Sequence, residues 1–331
     1  MLKIPKRVLF VRFSAYGDIL MCLPALVDFK RKFPHTEVHF LVAHTYADIL
    51  AHPENLGIAK VHIYRRISGP LGWWEMVKTA RHLRALGFDY IFDWQANPRS
   101  KLLLALVGAE SVFTFDRRLR IHQLEKCYLT LKDFGVEQPK NLSPIRLTSD
   151  SEERWAKQAL AEIPAFRQKI VLGIGGIWET KLWQTASFLE VVKTLSDTLD
   201  AYFVLIGDKR DSQRADELTR GLPSRVLNLV GQTSILQACG VIRLCDLVIS
   251  NDTSTMHLGW VQGVPTIGIF GSTDPLRTSP LGEKSFAFAS TLLPCHPCFS
   301  GKCLISEIEP LRCLKRISVS AVVEKSLELL S

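Results

Sequence analysis

Val8-Leu-Phe-Val-Arg-Phe-Ser-Ala-Tyr-Gly-Asp18 changes character twice within eleven residues. The apolar run from Val8 to Phe13 reads as a buried parallel strand. It stops at a loop of small residues, and Asp18 then opens a helical pattern carried by Leu20, Leu23, Leu26 and Val27. One carboxylate thereby sits at a strand-to-helix junction, where open α/β sheets bind their ligands. Asp18 can cap that helix or take the proton of a substrate hydroxyl, and this stretch alone allows both.

Outward from this segment, strand and helix patterns alternate twice over. Strands are expected at residues 8–13, 37–42, 90–94 and 111–115, with helical stretches at 25–33, 74–86 and 100–107. The second half starts afresh, with strands at 169–174, 202–206, 226–229, 247–250 and 266–270 and helices at 186–198, 213–220, 235–244 and 255–262. Such alternation predicts parallel sheets covered by helices on both faces. The expected architecture is α/β, with two doubly wound Rossmann-like domains facing a central cleft. Their expected limits are 1–155 and 166–316. A terminal helix within 317–331 should pack back on the first domain.

Length and composition agree with two domains: the chain has 331 residues and is 47% apolar. No run of ~18 apolar residues suggests a membrane span. Arg7, Arg12 and Asp18 interrupt the N-terminal apolar run, so it does not read as a signal peptide. A cytoplasmic protein is expected, peripheral on a membrane if its charge takes it there. The net charge of +8 points to an anionic partner: nucleic acid, a phosphorylated substrate or an acidic membrane surface. Nucleic acid is disfavoured, because no aromatic–basic interleaving or known module is present. A nicotinamide oxidoreductase is disfavoured as well, since neither half shows G-x-G-x-x-G with an acidic residue ~20 positions later.

Of eight cysteines, Cys22, Cys127, Cys239 and Cys245 lie singly in apolar stretches, as core thiols do. Cys295, Cys298, Cys303 and Cys313 are clustered as C-x2-C-x4-C-x9-C. One C-x2-C pair and two further thiols are zinc-like parts. The last spacing is not that of a standard knuckle, and reduced thiols are the expected state in a cytosolic enzyme.

Four loops after predicted strands carry polar chemistry. The strand Asp246–Asn251 leads into Asp252-Thr253-Ser254-Thr255 at a helix start, whose free N–H groups and hydroxyls suit a diphosphate. Asp252 can equally be the N-cap. His257, in the first helical turns, reads on its own as a structural hydrogen-bonder. The strand 263–270 ends in glycine and hydroxyl residues up to Asp274. After the strand at 169–174, Gly175 and Gly176 would let backbone approach phosphate, and Lys181 would supply counter-charge. Asp211, after Gly207, can hold ribose hydroxyls or cap the next helix. In the first half, Asp93-Trp-Gln95 ends a strand. Arg65, Arg66, Arg99 and the Arg117–Arg120 cluster are either a solvated face or grips for acidic groups.

Taken together, these segments resemble glycosyltransferase family 9, the ADP-heptose–lipopolysaccharide heptosyltransferases. The family's R-x-S-x-x-G-D and L-P-A-L pattern appears as Arg12 to Asp18 and Leu23 to Leu26. Its D-x-Q strand end matches Asp93 to Gln95. Its K-x-W-P region is Lys181-Leu-Trp183 with Gln184 in place of proline. Its D-T-G-x-x-H signature is Asp252 to His257 with Ser254 in place of glycine. The G-x-P-T-x-x-x-F-G strand matches fully at Gly263–Gly271, and C-x-P-C-F stands at Cys295–Phe299. The resemblance implies a GT-B fold and an inverting transfer from ADP-heptose to the inner core of lipopolysaccharide, with Kdo-lipid A or a heptosyl acceptor. It implies Asp18 as general base. Donor contacts would come from Gly17, Gly175, Gly176, Lys181, Asp211, Asp252, Thr253, Ser254 and His257. Acceptor contacts would come from Ser14, Arg65, Arg66, Gln95 and Arg120. It further implies no cofactor, no required metal and a peripheral contact with an anionic membrane. The alternatives are another nucleotide sugar as donor, or a non-catalytic nucleotide-binding protein of this fold. Glycine permits φ > 0 and close approach to phosphate where serine restricts the backbone, so Ser254 bears on both.

Overall fold

In the computed structural model, which describes residues 2–221, 224–305 and 309–331, the chain divides into two compact units. The first comprises Met1–Lys140 with Ile145–Leu147, the second Asn141–Pro144 with Thr148–Ser331.

The first unit runs β1 (Arg7–Val11), α1 (Tyr16–Lys32), β2 (Glu37–Ala43), β3 (Lys60–Tyr64), α2 (Gly69–Leu86), β4 (Tyr90–Asp93), α3 (Pro98–Val107), β5 (Ser111–Thr114) and α4 (Gln123–Leu131). Its sheet has the order β3-β2-β1-β4-β5, all parallel. Val8 to Val11 are wholly buried, as expected of a strand covered on both faces. Phe10 stacks on Phe92 at 4.7 Å and meets Phe29 of α1 edge-on at 5.4 Å. That contact seats α1 on the sheet. Replacing Phe92 by alanine would cost about 3–5 kcal/mol. Helix α1 also matches its own dipole, with Asp18 in the first turn and Lys30, Arg31 and Lys32 in the last.

The second unit runs α5 (Asp150–Ala159), β6 (Lys169–Gly173), α6 (Thr185–Leu199), β7 (Tyr202–Ile206), α7 (Ser212–Gly221), β8 (Val226–Asn228), α8 (Ile235–Arg243), β9 (Leu247–Asn251), α9 (Ser254–Val261), β10 (Thr266–Phe270), α10 (Pro275–Thr278), β11 (Ser285–Ala289), α11 (Arg312–Lys315) and α12 (Val319–Leu330). Its order, β8-β7-β6-β9-β10-β11, is again all parallel. Both sheets therefore follow the doubly wound scheme in which strand order reverses beside the first strand. The reversal falls between β1 and β4 in one unit and between β6 and β9 in the other. Ligands of open α/β sheets bind at that point, off the carboxyl ends of the strands.

The terminal helix and one boundary take definite places. Helix α12 packs on α6 and β9, and Val322 and Val323 join the core of the second sheet. Its buried stripe fits the uncovered face there. Helix α5 likewise belongs to the second unit, ahead of the boundary expected at 155, because it lies along α8. Gly240 makes that approach possible, since a Cβ there would stand 2.9 Å from the Glu152 carbonyl oxygen. Among the described residues no helix is long and apolar enough to cross a membrane.

Candidate functional site

In the first unit the loop after β1 is organised by a buried arginine. Arg12 donates through Nε to the Ser14 carbonyl at 3.0 Å and through Nη1 to the Trp94 carbonyl, and its Nη2 lies 2.8 Å from Asp18 Oδ1. The guanidinium thus ties the carboxyl end of β1 to the segment after β4 and fixes the Asp18 carboxylate between them. Burial opposes the charge on Arg12, but Asp18, joined by Cys22 and Cys127, carries the net shift upward. The other oxygen of Asp18 accepts the Ala15 N–H at 3.2 Å, so Asp18 does close the first turn of α1. Its side chain nevertheless stays 37% exposed. Cap and reachable carboxylate are the same group.

The Asp93–Gln95 segment braces this loop. Asp93 is buried and accepts from Gln95 N–H, Ala96 N–H and the Ser100 hydroxyl at 3.1, 3.0 and 2.7 Å. Burial raises its pKa, and those donors pull the other way. Gln95 Oε1 accepts the Phe13 N–H at 2.8 Å. Its carbonyl end therefore shapes the loop that carries Ser14 and Gly17, both half-buried. Arg65 and Arg66 follow β3 and Arg120 follows β5, all exposed on the carboxyl side of the same sheet. Below the loop, Cys22 donates to the Asp18 carbonyl and Cys127 lies 3.3 Å from Cys22. Burial pushes the Cys127 thiol well up, which keeps it an inert core group.

In the second unit four strand ends meet. Asn251, at the end of β9, donates from Nδ2 to the Ile174 and Gly175 carbonyls and accepts the Trp183 N–H at 3.1 Å. One side chain thereby clamps both ends of the glycine loop. Gly175 is obligatory in that position, because a Cβ would stand 2.1 Å from Asp211 Oδ2. A Cβ on Gly176 would stand 3.6 Å from the Thr253 methyl, so the glycine loop lies against the start of α9. Lys181 Nζ is 2.7 Å from Asp252 Oδ2, donates to the Asp252 carbonyl at 3.2 Å, and stands over the Trp178 ring at 5.3 Å. The Thr273 hydroxyl donates to the same Asp252 oxygen at 2.7 Å. Asp252 is thus buried and neutralised. Thr253 is the N-cap of α9 with no side-chain cap bond, and Ser254 is its first residue. The first N–H groups of α9, these hydroxyls and Lys181 are donors of the kind that hold anions at helix N-termini.

Two residues sit deeper than their motifs suggested, and a third, Ser254, keeps an ordinary backbone. Asp211 is buried, caps the turn before α7 by accepting the Asp208 N–H at 2.9 Å, and has its pKa raised by burial. His257 is buried and accepts from Trp260 Nε1 through Nδ1 at 3.0 Å. Ser254 requires no left-handed backbone: the non-glycine residues with positive φ among the described residues are Ala96, Asp200, Phe299 and Leu311. Serine therefore fits where the family pattern has glycine. Cys295, Cys298 and Cys303 lie near enough to Cys313 to raise its thiol pKa together with burial. Among the described residues no group of three or more His, Cys, Asp or Glu is placed to hold a metal ion.

Arg12 and Asn251 were not singled out from sequence, although both stand at strand ends next to motif residues. The Thr180 hydroxyl, which bonds Ser272 Oγ at 2.8 Å and fastens the Glu179–Lys181 turn to the end of β10, also went unread.

Residues 76–309 match the model of the family described as glycosyltransferase family 9 (heptosyltransferase). Lipopolysaccharide heptosyltransferase 1 of Pseudomonas aeruginosa is 27% identical over 325 residues, covering 92% of this chain and 89% of that protein. In structure, a glycosyl transferase family 9 protein of Veillonella parvula superposes with a TM-score of 0.86 at 18% identity, over 100% of this chain and 98% of that one. The E. coli heptosyltransferase WaaC, determined with ADP-2-deoxy-2-fluoro heptose, superposes with a TM-score of 0.71 at 21% identity, over 97% and 99% of the two chains.

Proposed function

The chain belongs to glycosyltransferase family 9, and from that premise we propose that it is an inverting heptosyltransferase. It moves a heptose from ADP-heptose to the inner core of lipopolysaccharide, on Kdo-lipid A or a heptosyl acceptor, at the cytoplasmic face of a membrane. The observation that carries the reading is the Asp18 carboxylate, held by buried Arg12 at the strand-order reversal yet open to solvent over more than a third of its surface.

Asp18 takes the proton of an acceptor hydroxyl as that oxygen forms its bond to the anomeric carbon from the face opposite the diphosphate. The bond from the anomeric carbon to the β-phosphate oxygen breaks, and its electron pair leaves with ADP. The sugar passes through an oxocarbenium-like state. Growing charge on ADP is met by Lys181 and the N–H groups opening α9, at Thr253 and Ser254. Asp252 is closed off by Lys181 and Thr273 and orients that lysine instead of facing phosphate. Gly175 and Gly176 admit the diphosphate, with Asp211 and His257 supporting the loop walls from behind. Arg65, Arg66 and Arg120, with Ser14 and Gln95, grip the acidic acceptor. With leaving-group charge met in this way, turnover persists in a chelator.

The test is ADP release from ADP-heptose with a heptose-free lipopolysaccharide core. Wild-type protein should release ADP, and Asp18→Asn should not while keeping its fold. Full turnover by Asp18→Asn sinks the base assignment. A thermal-shift screen in which only UDP- or GDP-sugars stabilise the protein sinks the donor assignment.

A further inference from the structure

The helix that follows Arg65 and Arg66 has a surface the transfer reaction does not use. Helix α2 buries Gly72, Met76, Ala80 and Leu83. Its other face carries Leu71, Trp74, Lys78 and Arg81 at helical spacing, all exposed. Leu71 is 69% exposed, Trp73 53% and Trp74 61%. Ile67 joins them, since a Cβ on Gly72 would stand 2.0 Å from the Ile67 carbonyl oxygen and glycine alone lets that residue lie over the first turn. Two neighbouring exposed tryptophans with two aliphatic side chains form an apolar patch that a folded surface does not leave open without use.

The charge around the patch selects its occupant. Arg65 and Arg66 precede it, and Lys78, Arg81 and Arg84 follow it along α2, all exposed, against the single carboxylate of Glu75 in that stretch. Lys78 Nζ stands over the Trp74 ring at 5.1 Å, so a cation and an aromatic ring are already paired on this face. Tryptophan favours the boundary between acyl chains and headgroups, where its ring is apolar and its N–H stays wet. Lysine and arginine lay their stems along apolar surface and keep their charge at headgroup level. Anionic lipid attracts such clusters within a Debye length. A protein partner would have to supply a matching acidic surface, whereas an anionic bilayer supplies that charge and the apolar layer together.

We propose that Ile67, Leu71, Trp73 and Trp74, flanked along α2 by Lys78, Arg81 and Arg84, dock the first unit on an anionic phospholipid surface. The docking surface continues directly from the strand end bearing Arg65 and Arg66. It deepens the functional reading above, because a lipid-linked acceptor is presented at such a surface.

The test is co-sedimentation of the full chain with vesicles of phosphatidylethanolamine and phosphatidylglycerol, and with phosphatidylcholine vesicles, while tryptophan emission is recorded. The wild-type chain should pellet with the anionic vesicles only, with a blue shift. The double variant Trp73→Ala/Trp74→Ala should lose the shift and bind roughly tenfold less, and Lys78→Glu/Arg81→Glu should lose its preference for anionic lipid. Both variants should keep the wild-type rate on a deacylated, water-soluble acceptor. Undiminished vesicle binding by Trp73→Ala/Trp74→Ala overturns the proposal. So does a wild-type chain that binds neither vesicle, or a dimer that Trp73→Ala/Trp74→Ala converts to monomer, which would give the patch to a second copy. A chain that binds vesicles but releases no ADP leaves the docking surface standing and removes the heptosyltransferase reading.

Discussion

The two units repeat one strand order but finish it with opposite electrostatics. In the first, the cation of the key ion pair is buried and the anion reaches solvent: side-chain exposure is 9% for Arg12 and 37% for Asp18. In the second the roles are exchanged, with Asp252 at 5% and Lys181 at 22%. Each inner partner fixes an outer one, and the outer one is what a ligand meets. The same fold at the same topological position thus offers an outer carboxylate on one unit and an outer cation on the other. That is the division of labour that the proposed transfer, moving a proton from an acceptor while receiving a diphosphate, requires.

The contrast can be broken first at Asp18. Asp18→Asn keeps one acceptor oxygen, for the Ala15 N–H or for Arg12 but not for both, and removes the base. Turnover should fall about 10²–10⁴-fold in the ADP-release assay, with an unchanged circular-dichroism spectrum. In the second unit the matching change strips the outer partner from a buried charge. Lys181→Met should cost about 3–5 kcal/mol in urea unfolding, and adding Asp252→Asn should restore most of it. A second variant as unstable as the first would show that Lys181 is not there to neutralise Asp252.

A third difference is acid sensitivity. His39 and His62, on β2 and β3, share a 2.9 Å contact, and His39 also meets Glu37, itself paired with Arg7. Burial lowers both histidines, His62 to about 4, with Lys60 and His82 adding repulsion there. The folded rings bind protons less readily than unfolded histidine, whose pKa is ~6.5. Stability from this pair is therefore fully present above about pH 6.5 and is lost as pH falls toward about 4. Protection factors of β2 and β3 amides, corrected for the intrinsic pH dependence of exchange, should fall at about pH 5 relative to about pH 7.5, and equal protection factors would refute it. The smallest effect is expected at Ser254. Because its backbone is not left-handed, Ser254→Gly should change ADP affinity by no more than about threefold by calorimetry, in keeping with the few tenths of a kcal/mol that glycine costs near a helix start.

The central strands were legible because residues covered on both faces must be apolar, as Val8 to Val11 and Leu247 to Ile249 are. Of the four edge strands, Ser111–Thr114 and Val226–Asn228 were expected and the other two were not. Lys60–Tyr64 and Ser285–Ala289 are half-exposed and mix polar with apolar residues, so only pairing with β2 and β10 makes them strands. The apolar stripe of α12 announced a packed helix, yet nothing in a stripe says which sheet it will cover. Site residues followed the same rule. Asp18 and Lys181 were readable from local motifs, while the burial of Asp211 and His257 depended on what packs above them. Arg12 was visible as a letter at a strand end, and its purpose was not, because its acceptor at Trp94 lies 82 residues further on.

That separation has a meaning in time. A growing chain gains roughly 5–20 residues per second, so Asp18 leaves the ribosome several seconds before Trp94 exists to hold Arg12. During that interval the carboxylate is present and has no fixed direction. Addition of the segment that carries Trp94 turns it from a charge on a helix end into an aimed group.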